Sequence, residues 1–258
     1  MKTALITGAS SGIGLELAHV FAREGHNLLI TARRTDRLEA LKNELEKDYD
    51  IDVHIYAADL SENHVPQQIY DFAKSRSVDI DFLVNNAGIG DYGFFHKSDW
   101  NTIGTMIDLN IRSLTHLTRL FLPDMIKKDR AYIMNMASTA AFQPGPLMSV
   151  YYASKHYVLA FSEAIANELN GTGVTVTTLC PGPTESEFQE KANMKKSKLF
   201  DHLPVATSEE VAEYGYKAML KGKRVAVHGF LNKPLSKLVG LFPRRLVTAI
   251  TRKIQERK

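Results

Sequence analysis

Short apolar runs alternate with amphipathic stretches along the first 180 residues, and this alternation constrains the fold more than any other feature of the chain. The runs lie at 3–7, 27–31, 53–57, 81–85, 132–136 and 174–180, with 225–227 as a candidate seventh. Most show no polar alternation, as expected of strands buried on both faces of a parallel sheet. Between them Ile13, Leu17, Val20 and Phe21 recur at helical spacing, as do Leu38, Leu41 and Leu45, and later Ile107, Ile111, Leu114 and Leu117. Strand–helix alternation predicts an α/β fold: a doubly wound parallel sheet of six to seven strands, right-handed crossovers, and helices on both faces.

No linker, repeat or low-complexity tract interrupts the pattern, so the 258 residues read as a single domain. The hydrophobic set is 44% and the charged set 24%, which excludes a disordered chain. One cysteine excludes a disulfide framework, and the nine histidines show no metal-ligand spacing, so no metal is expected. Cys180, in the strand-six run, reads as a packed thiol. No run of about 18 apolar residues exists, and the N-terminal run Ala4-Leu5-Ile6 is too short for a signal-peptide core. A cytoplasmic location is the resulting expectation. After Pro181 the character changes. Residues 183–206 carry Glu185, Glu187, Glu190, Lys191, Lys195, Lys196 and Lys198 before a break at Pro204, and are expected to form a mobile lid over substrate. A helix restarts at Thr207, with Glu210 placed for a capping box.

The first strand runs into Thr7-Gly8-Ala9-Ser10-Ser11-Gly12-Ile13-Gly14 and then a helix. Such a turn gathers backbone N–H groups at a positive helix end, and its glycines let a pyrophosphate approach the backbone. A tight βα turn kept for packing is the competing reading. Dinucleotide sites usually carry an acid at the end of the second strand for the ribose 2′-hydroxyl. Here the strand ends Ile30-Thr31-Ala32-Arg33-Arg34. Guanidinium groups suit a 2′-phosphate, so NADP is favoured over NAD.

Further along stand Asn85-Asn86-Ala87-Gly88, then Ser138, then Tyr151 and Lys155, one helical turn apart on a shared face. An ammonium near a phenol favours phenolate, so Lys155 is expected to lower the Tyr151 pKa toward neutrality. Tyr152 points about 100° round the helix and is the weaker candidate.

In these motifs, in order over about 180 residues, the chain resembles the short-chain dehydrogenase/reductase family. The matching positions are the Thr7–Gly14 turn, Asp59, Asn85 to Gly88, Asn110, Ser138, Tyr151/Lys155 and Pro181-Gly182; Ala137 stands where many relatives carry a second serine. The resemblance implies a Rossmann-like fold and residue roles. Tyr151 would exchange a proton with the substrate oxygen, Ser138 would hydrogen-bond that oxygen, and Lys155 would hold the nicotinamide ribose and tune Tyr151. Asn110 would hold a water linking Lys155 to solvent. Gly8, Ser10, Ser11, Gly12, Ile13 and Gly14 would face the phosphates, with Arg33 and Arg34 at the 2′-phosphate. Asp59 would bind the adenine amine with Leu60 beside the ring, and Asn86, with Ala87 and Gly88, would sit near the adenosine ribose. Pro181, Gly182 and Thr184 complete the cofactor set, Thr184 helping to grip the carboxamide. The helix at 108–128 would pack across a homodimer or homotetramer interface.

The implied activity is an NADP(H)-dependent oxidoreductase interconverting a small hydrophobic ketone or aldehyde and its alcohol. A membrane-surface reductase of a lipid-like substrate and a cofactor-binding regulatory protein without turnover are the alternatives. Tyr92, Phe94, Phe95, Phe142, Leu147, Met148, Phe188 and Met194 are expected around the reacting carbon.

From Gly229 onward eight basic residues face one acid, Glu256. This extension, 229–258, carries +7; with +3 overall, the remaining chain carries −4. Leu246, Val247, Ile250 and Ile254 follow Pro243 at helical spacing, interleaved with Arg245, Arg252, Lys253 and Arg257. Two amphipathic helices broken near Pro243 are expected to pack near the substrate cleft, with attachment to an anionic membrane surface as the alternative. Nucleic acid is not expected, since no binding module is present.

Overall fold

The computed structural model describes residues 1–192 and 205–256. Met194, Lys195, Lys196, Lys198, His202, Pro204, Arg257 and Lys258, and with them most of the expected lid, fall outside the described residues.

Seven strands form one sheet: β1 (Thr3–Thr7), β2 (Asn27–Ala32), β3 (Val53–Ala57), β4 (Ile80–Asn85), β5 (Ala131–Met136), β6 (Val174–Cys180) and β7 (Val225–Val227). Their order is β3-β2-β1-β4-β5-β6-β7, and every neighbouring pair is parallel. The strand order reverses between β1 and β4, which opens a crevice beyond the carboxyl ends of the strands.

Both faces are covered, as continuous apolar strands require. Within β1, Ala4 and Ile6 enter one layer and Leu5 the other. The first layer receives Leu17, Val20 and Phe21 of α1 (Gly12–Arg23), Leu38, Leu41 and Leu45 of α2 (Thr35–Asp48), and residues of a later helix, Ser208–Leu220. Phe21 meets Phe82 and Tyr216 edge-on, at centroid distances of 5.1 and 4.9 Å. The second layer is closed by Ile69 of α3 (Val65–Ser75) and by the two long helices that follow β4 and β5.

The helix expected at 108–128 begins earlier and ends sooner. It starts as α4 (Trp100–Ile107), capped by Asp99 accepting from the Thr102 amide at 2.9 Å. It then widens through a π-helical turn at Asp108–Ser113 and continues as α5 (Leu114–Met125). Such widened turns recur at functional sites, and this one holds Asn110. α6 (Ser149–Glu168) carries Tyr151 and Lys155. α7 (Ser208–Leu220) opens on the capping box: the Glu210 amide donates to Thr207 Oγ1 at 3.1 Å, and the Thr207 amide to Glu210 at 3.0 Å. Its Val211, Ala212, Tyr216 and Met219 join the first layer. Beyond β7, α8 (Asn232–Leu238) and α9 (Arg244–Gln255) flank an extended Phe242 and Pro243. Among the described residues no helix is long and apolar enough to cross a membrane.

Candidate active site

A cavity of about 900 Å³ spans the carboxyl ends of the strands. Its wall takes Gly8 after β1, Arg33 after β2, Asp59 after β3, Asn86 after β4, Ser138 after β5 and Pro181 after β6. Every residue named above as a candidate cofactor contact lines it, from the 8–14 turn to Thr184. Ser138, Tyr151 and Lys155 line it too, whereas Asn110 sits behind the wall.

The glycine turn needs its glycines. Gly8 and Gly12 have φ of 71° and 58°, the left-handed region that side-chain-bearing residues avoid. A Cβ on Gly14 would collide with the Gly8 carbonyl and the Asn86 amide. Asn86 explains why: its Nδ2 donates to the Thr7 carbonyl at 2.8 Å, while Thr7 Oγ1 accepts from the Asn86 and Ala87 amides, both at 2.9 Å. Asn86 thus ties the end of β4 to the turn it faces.

Arg34 lies across that turn. Its guanidinium donates to Ser11 Oγ at 2.8 Å and to Ser10 Oγ at 3.0 Å, and pairs with Glu187 at 2.8 Å. Arg37, one turn into α2, meets the same Glu187 carboxylate at 2.5 Å. Arg33 reaches Asp59 at 3.4 Å. Burial pushes the Asp59 pKa up, but the Ser61 amide and hydroxyl, with Arg33, outweigh it and hold the carboxyl below its ordinary value. Sequence reasoning missed Arg37 and Glu187. Arg37 follows Arg34 at i+3, a readable signal; Glu187 arrives from 153 residues away and has none.

The Asn110 amide grips the loop after β4. Its Oδ1 accepts from the Ile89 amide at 3.0 Å, and its Nδ2 donates to the Ile89 carbonyl at 2.9 Å and to Ser154 at 3.1 Å. Ser154 in turn donates to the Tyr151 carbonyl at 2.7 Å, so the π-turn holds the loop and α6 together.

The expected effect of Lys155 on Tyr151 needs correction. Lys155 Nζ lies 5.7 Å from the Tyr151 ring centroid and donates to the Met136 carbonyl at 2.7 Å. Burial pushes the Tyr151 phenol up to about 12, against a hydrogen bond with Ser138 that draws it down. Burial pushes Lys155 down to about 8. Desolvation therefore outweighs the Ser138 hydrogen bond, and Tyr151 is a protonated phenol at neutral pH. Ser138 Oγ also accepts from the Ala140 amide at 3.1 Å, which fixes it beside Pro181. Burial likewise raises the Cys180 thiol to about 12.

The apolar wall differs from expectation. Met148 and Phe188 line the cavity, but Phe95 and Phe142 do not; Tyr92, Phe94 and Leu147 line a smaller neighbouring hollow of about 290 Å³. The missing wall comes from the tail: Leu235, Leu238, Val239, Phe242, Leu246, Val247, Ile250 and Ile254. Buried Thr251 and Gln255 seat α9 on the body. Gln255 Nε2 donates to the Tyr152 hydroxyl, and the Tyr92 hydroxyl donates to the Gln255 carbonyl at 2.6 Å. Tyr152 is thereby spent on anchoring the tail.

The sequence pattern of the family described as short chain dehydrogenase matches residues 2–197. The chain is 40% identical over 188 residues to a sulfoacetaldehyde reductase of Chromohalobacter salexigens, covering 71% of this chain and 72% of that protein. It is 35% identical over 216 residues to an NADP-dependent 3-hydroxy acid dehydrogenase of Salmonella typhi, covering 81% and 85%. Among solved structures, a short-chain dehydrogenase from Sphingobium yanoikuyae in complex with NADPH superimposes with a TM-score of 0.81 at 28% identity, over 95% of this chain and 97% of that one. With its parallel seven-stranded sheet, its glycine turn and a pattern match over most of its length, the chain belongs to the short-chain dehydrogenase/reductase family.

Proposed function

We propose that this protein is an NADP(H)-dependent oxidoreductase that interconverts a hydrophobic ketone or aldehyde and its alcohol, with Tyr151 as the general acid/base. One observation carries the reading: Ser138, Tyr151 and Lys155 line the same cavity as the glycine turn and the apolar side chains of α8 and α9. The residues fit the cofactor. The turn leaves no room for a Cβ at Gly14, and Arg34 with Ser10 and Ser11 offers donors for a phosphate monoester.

NADPH, when bound, supplies the hydride for the carbonyl carbon. Gly8 to Gly14 would hold the pyrophosphate, and Arg33 and Arg34 would hold the 2′-phosphate, with Arg37 beside them. Asp59 and Leu60 would flank the adenine, and Thr184 would meet the carboxamide. In the reducing direction Tyr151 donates its phenolic proton to the substrate oxygen while Ser138 hydrogen-bonds that oxygen as charge develops on it. The apolar chamber excludes water from the carbonyl and favours substrates without fixed charge.

The test is a panel of aliphatic and aromatic ketones and aldehydes offered with NADPH or NADH, following loss of the reduced cofactor's absorbance. Turnover of apolar members with NADPH preferred is the expected result. Preference for NADH, or turnover confined to carboxylated substrates, overturns it.

A further inference from the structure

Large apolar side chains crowd the surface of the C-terminal extension. Phe230 is 89% exposed and Leu241 78%, and Leu235, Phe242, Leu246 and Ile250 are each about half exposed. The last four also line the mouth of the cavity, so the apolar rim and the cavity entrance are one surface. On α9, Thr251 and Gln255 face the body, while Leu246, Ile250 and Ile254 form a half-exposed ridge shared between the cavity mouth and solvent. Lys253, Arg245 and Arg252 adjoin that ridge at helical angles, so apolar and basic stripes share the outward face. Lys233, Lys237, Arg244, Arg245 and Lys253 are exposed, and among the described residues no ion pair neutralises them. Arg252, which pairs with Glu256 at 3.3 Å, lies 5.0 Å over the Phe94 ring and extends the patch to the loop after β4.

We propose that this face docks the protein on an anionic lipid bilayer, with the cavity mouth against the membrane, and that the hydrophobic carbonyl or alcohol substrate enters from the lipid. The substrate clause rests on the oxidoreductase reading; the docking does not. An amphipathic surface rich in Lys and Arg fits the interface of a negatively charged leaflet, where apolar side chains enter the acyl boundary and the cations meet headgroups. A second copy of the chain fits less well. A two-fold contact places each patch on itself, bringing two segments of +7 together.

The experiment is co-sedimentation of the full chain with vesicles of phosphatidylglycerol and phosphatidylcholine, or of phosphatidylcholine alone. Binding to the anionic vesicles at low salt, at least tenfold weaker at high salt and on neutral vesicles, is expected. Joint Lys237→Glu, Arg244→Glu, Arg245→Glu and Lys253→Glu should abolish it. Phe230→Ser with Leu241→Ser should weaken it at least tenfold with all charges retained. None of these six residues lines the cavity, so NADPH-dependent turnover of a short soluble ketone should stay at the parental rate. A long-chain aldehyde dissolved in anionic vesicles should turn over at least fivefold faster than in neutral ones. No binding at low salt overturns the docking, as does binding indifferent to the apolar pair, or a dimer that dissociates with Leu241→Glu while vesicles are ignored. Binding without turnover of any ketone overturns the oxidoreductase reading instead, and equal rates in both vesicles overturn delivery from the lipid.

Discussion

At the scale of single residues, Tyr151 and Tyr152 are neighbours with different partners. Tyr151 shares a hydrogen bond with Ser138, and Tyr152 is held by Gln255. Tyr151→Phe keeps the ring and removes the proton. Turnover should fall by about 10²–10⁴, with NADPH affinity, read by fluorescence titration, unchanged. Tyr152→Phe should retain most activity; equal losses would mean the wrong phenol has been assigned. Lys155 makes a second residue-scale prediction. Its folded pKa of about 8 lies below the ordinary lysine value of 10.5, because burial disfavours the ammonium. Between those values the unfolded chain binds more protons than the folded one, so stability rises with pH across that window. Below about 8 the whole penalty is present, on the order of 3 kcal/mol. Lys155→Met should therefore stabilise the apo protein by about 1–3 kcal/mol in urea unfolding at pH 7. That gain should shrink toward zero by pH 10.5, and turnover should be lost. Destabilisation at pH 7 would show that the Met136 contact outweighs the buried charge.

At the scale of elements, α9 is held by very few buried side chains. Thr251 and Gln255 face inward while its apolar ridge faces the cavity and solvent. Gln255→Leu keeps the volume but leaves the Tyr152 hydroxyl without its donor, a loss of about 1–3 kcal/mol. Amide exchange across 244–255 should speed up, and KM for an apolar ketone should rise several-fold while KM for NADPH holds. An unchanged exchange pattern would locate the anchoring of α9 elsewhere. The π-turn at Asp108–Ser113 is a second element whose form the sequence did not disclose. Ile107, Ile111, Leu114 and Leu117 fit an ordinary helix. The widening is tied to Asn110, whose amide bonds Ile89 and Ser154 on two other elements.

At the scale of the whole molecule, the cofactor cavity joins loops from six strands, so ligand binding should stabilise the entire fold. NADPH at about 100 times its Kd should add about 2.7 kcal/mol, a rise in Tm of about 5–10 °C. NADH at the same concentration should give clearly less. The double variant Arg33→Ala, Arg34→Ala should bring the NADPH response down to that of NADH. An undiminished response would remove the arginines from the 2′-phosphate site. Glu187 bears on the same measurement: its carboxylate pairs with Arg34 and Arg37 where a 2′-phosphate would bind.

The strands, the glycine turn and the paired Tyr151 and Lys155 were legible in the sequence because each is a local pattern. A buried strand is a run of neighbours, a phosphate turn is a spacing of glycines, and one helical turn brings positions four apart together. The strand boundaries moved by a residue or so, and Val225–Val227 settled the count at seven. What the tertiary structure decided are pairings across sequence distance and the balance of burial against charge. Glu187 against Arg34, Gln255 against Tyr152 and the tail as cavity wall each join segments that no local pattern links. The Tyr151 pKa belongs with them. Spacing placed an ammonium nearby, but only the fold decided how much water remained around the phenol. With that water gone, desolvation outweighed the Ser138 hydrogen bond and carried the phenol upward.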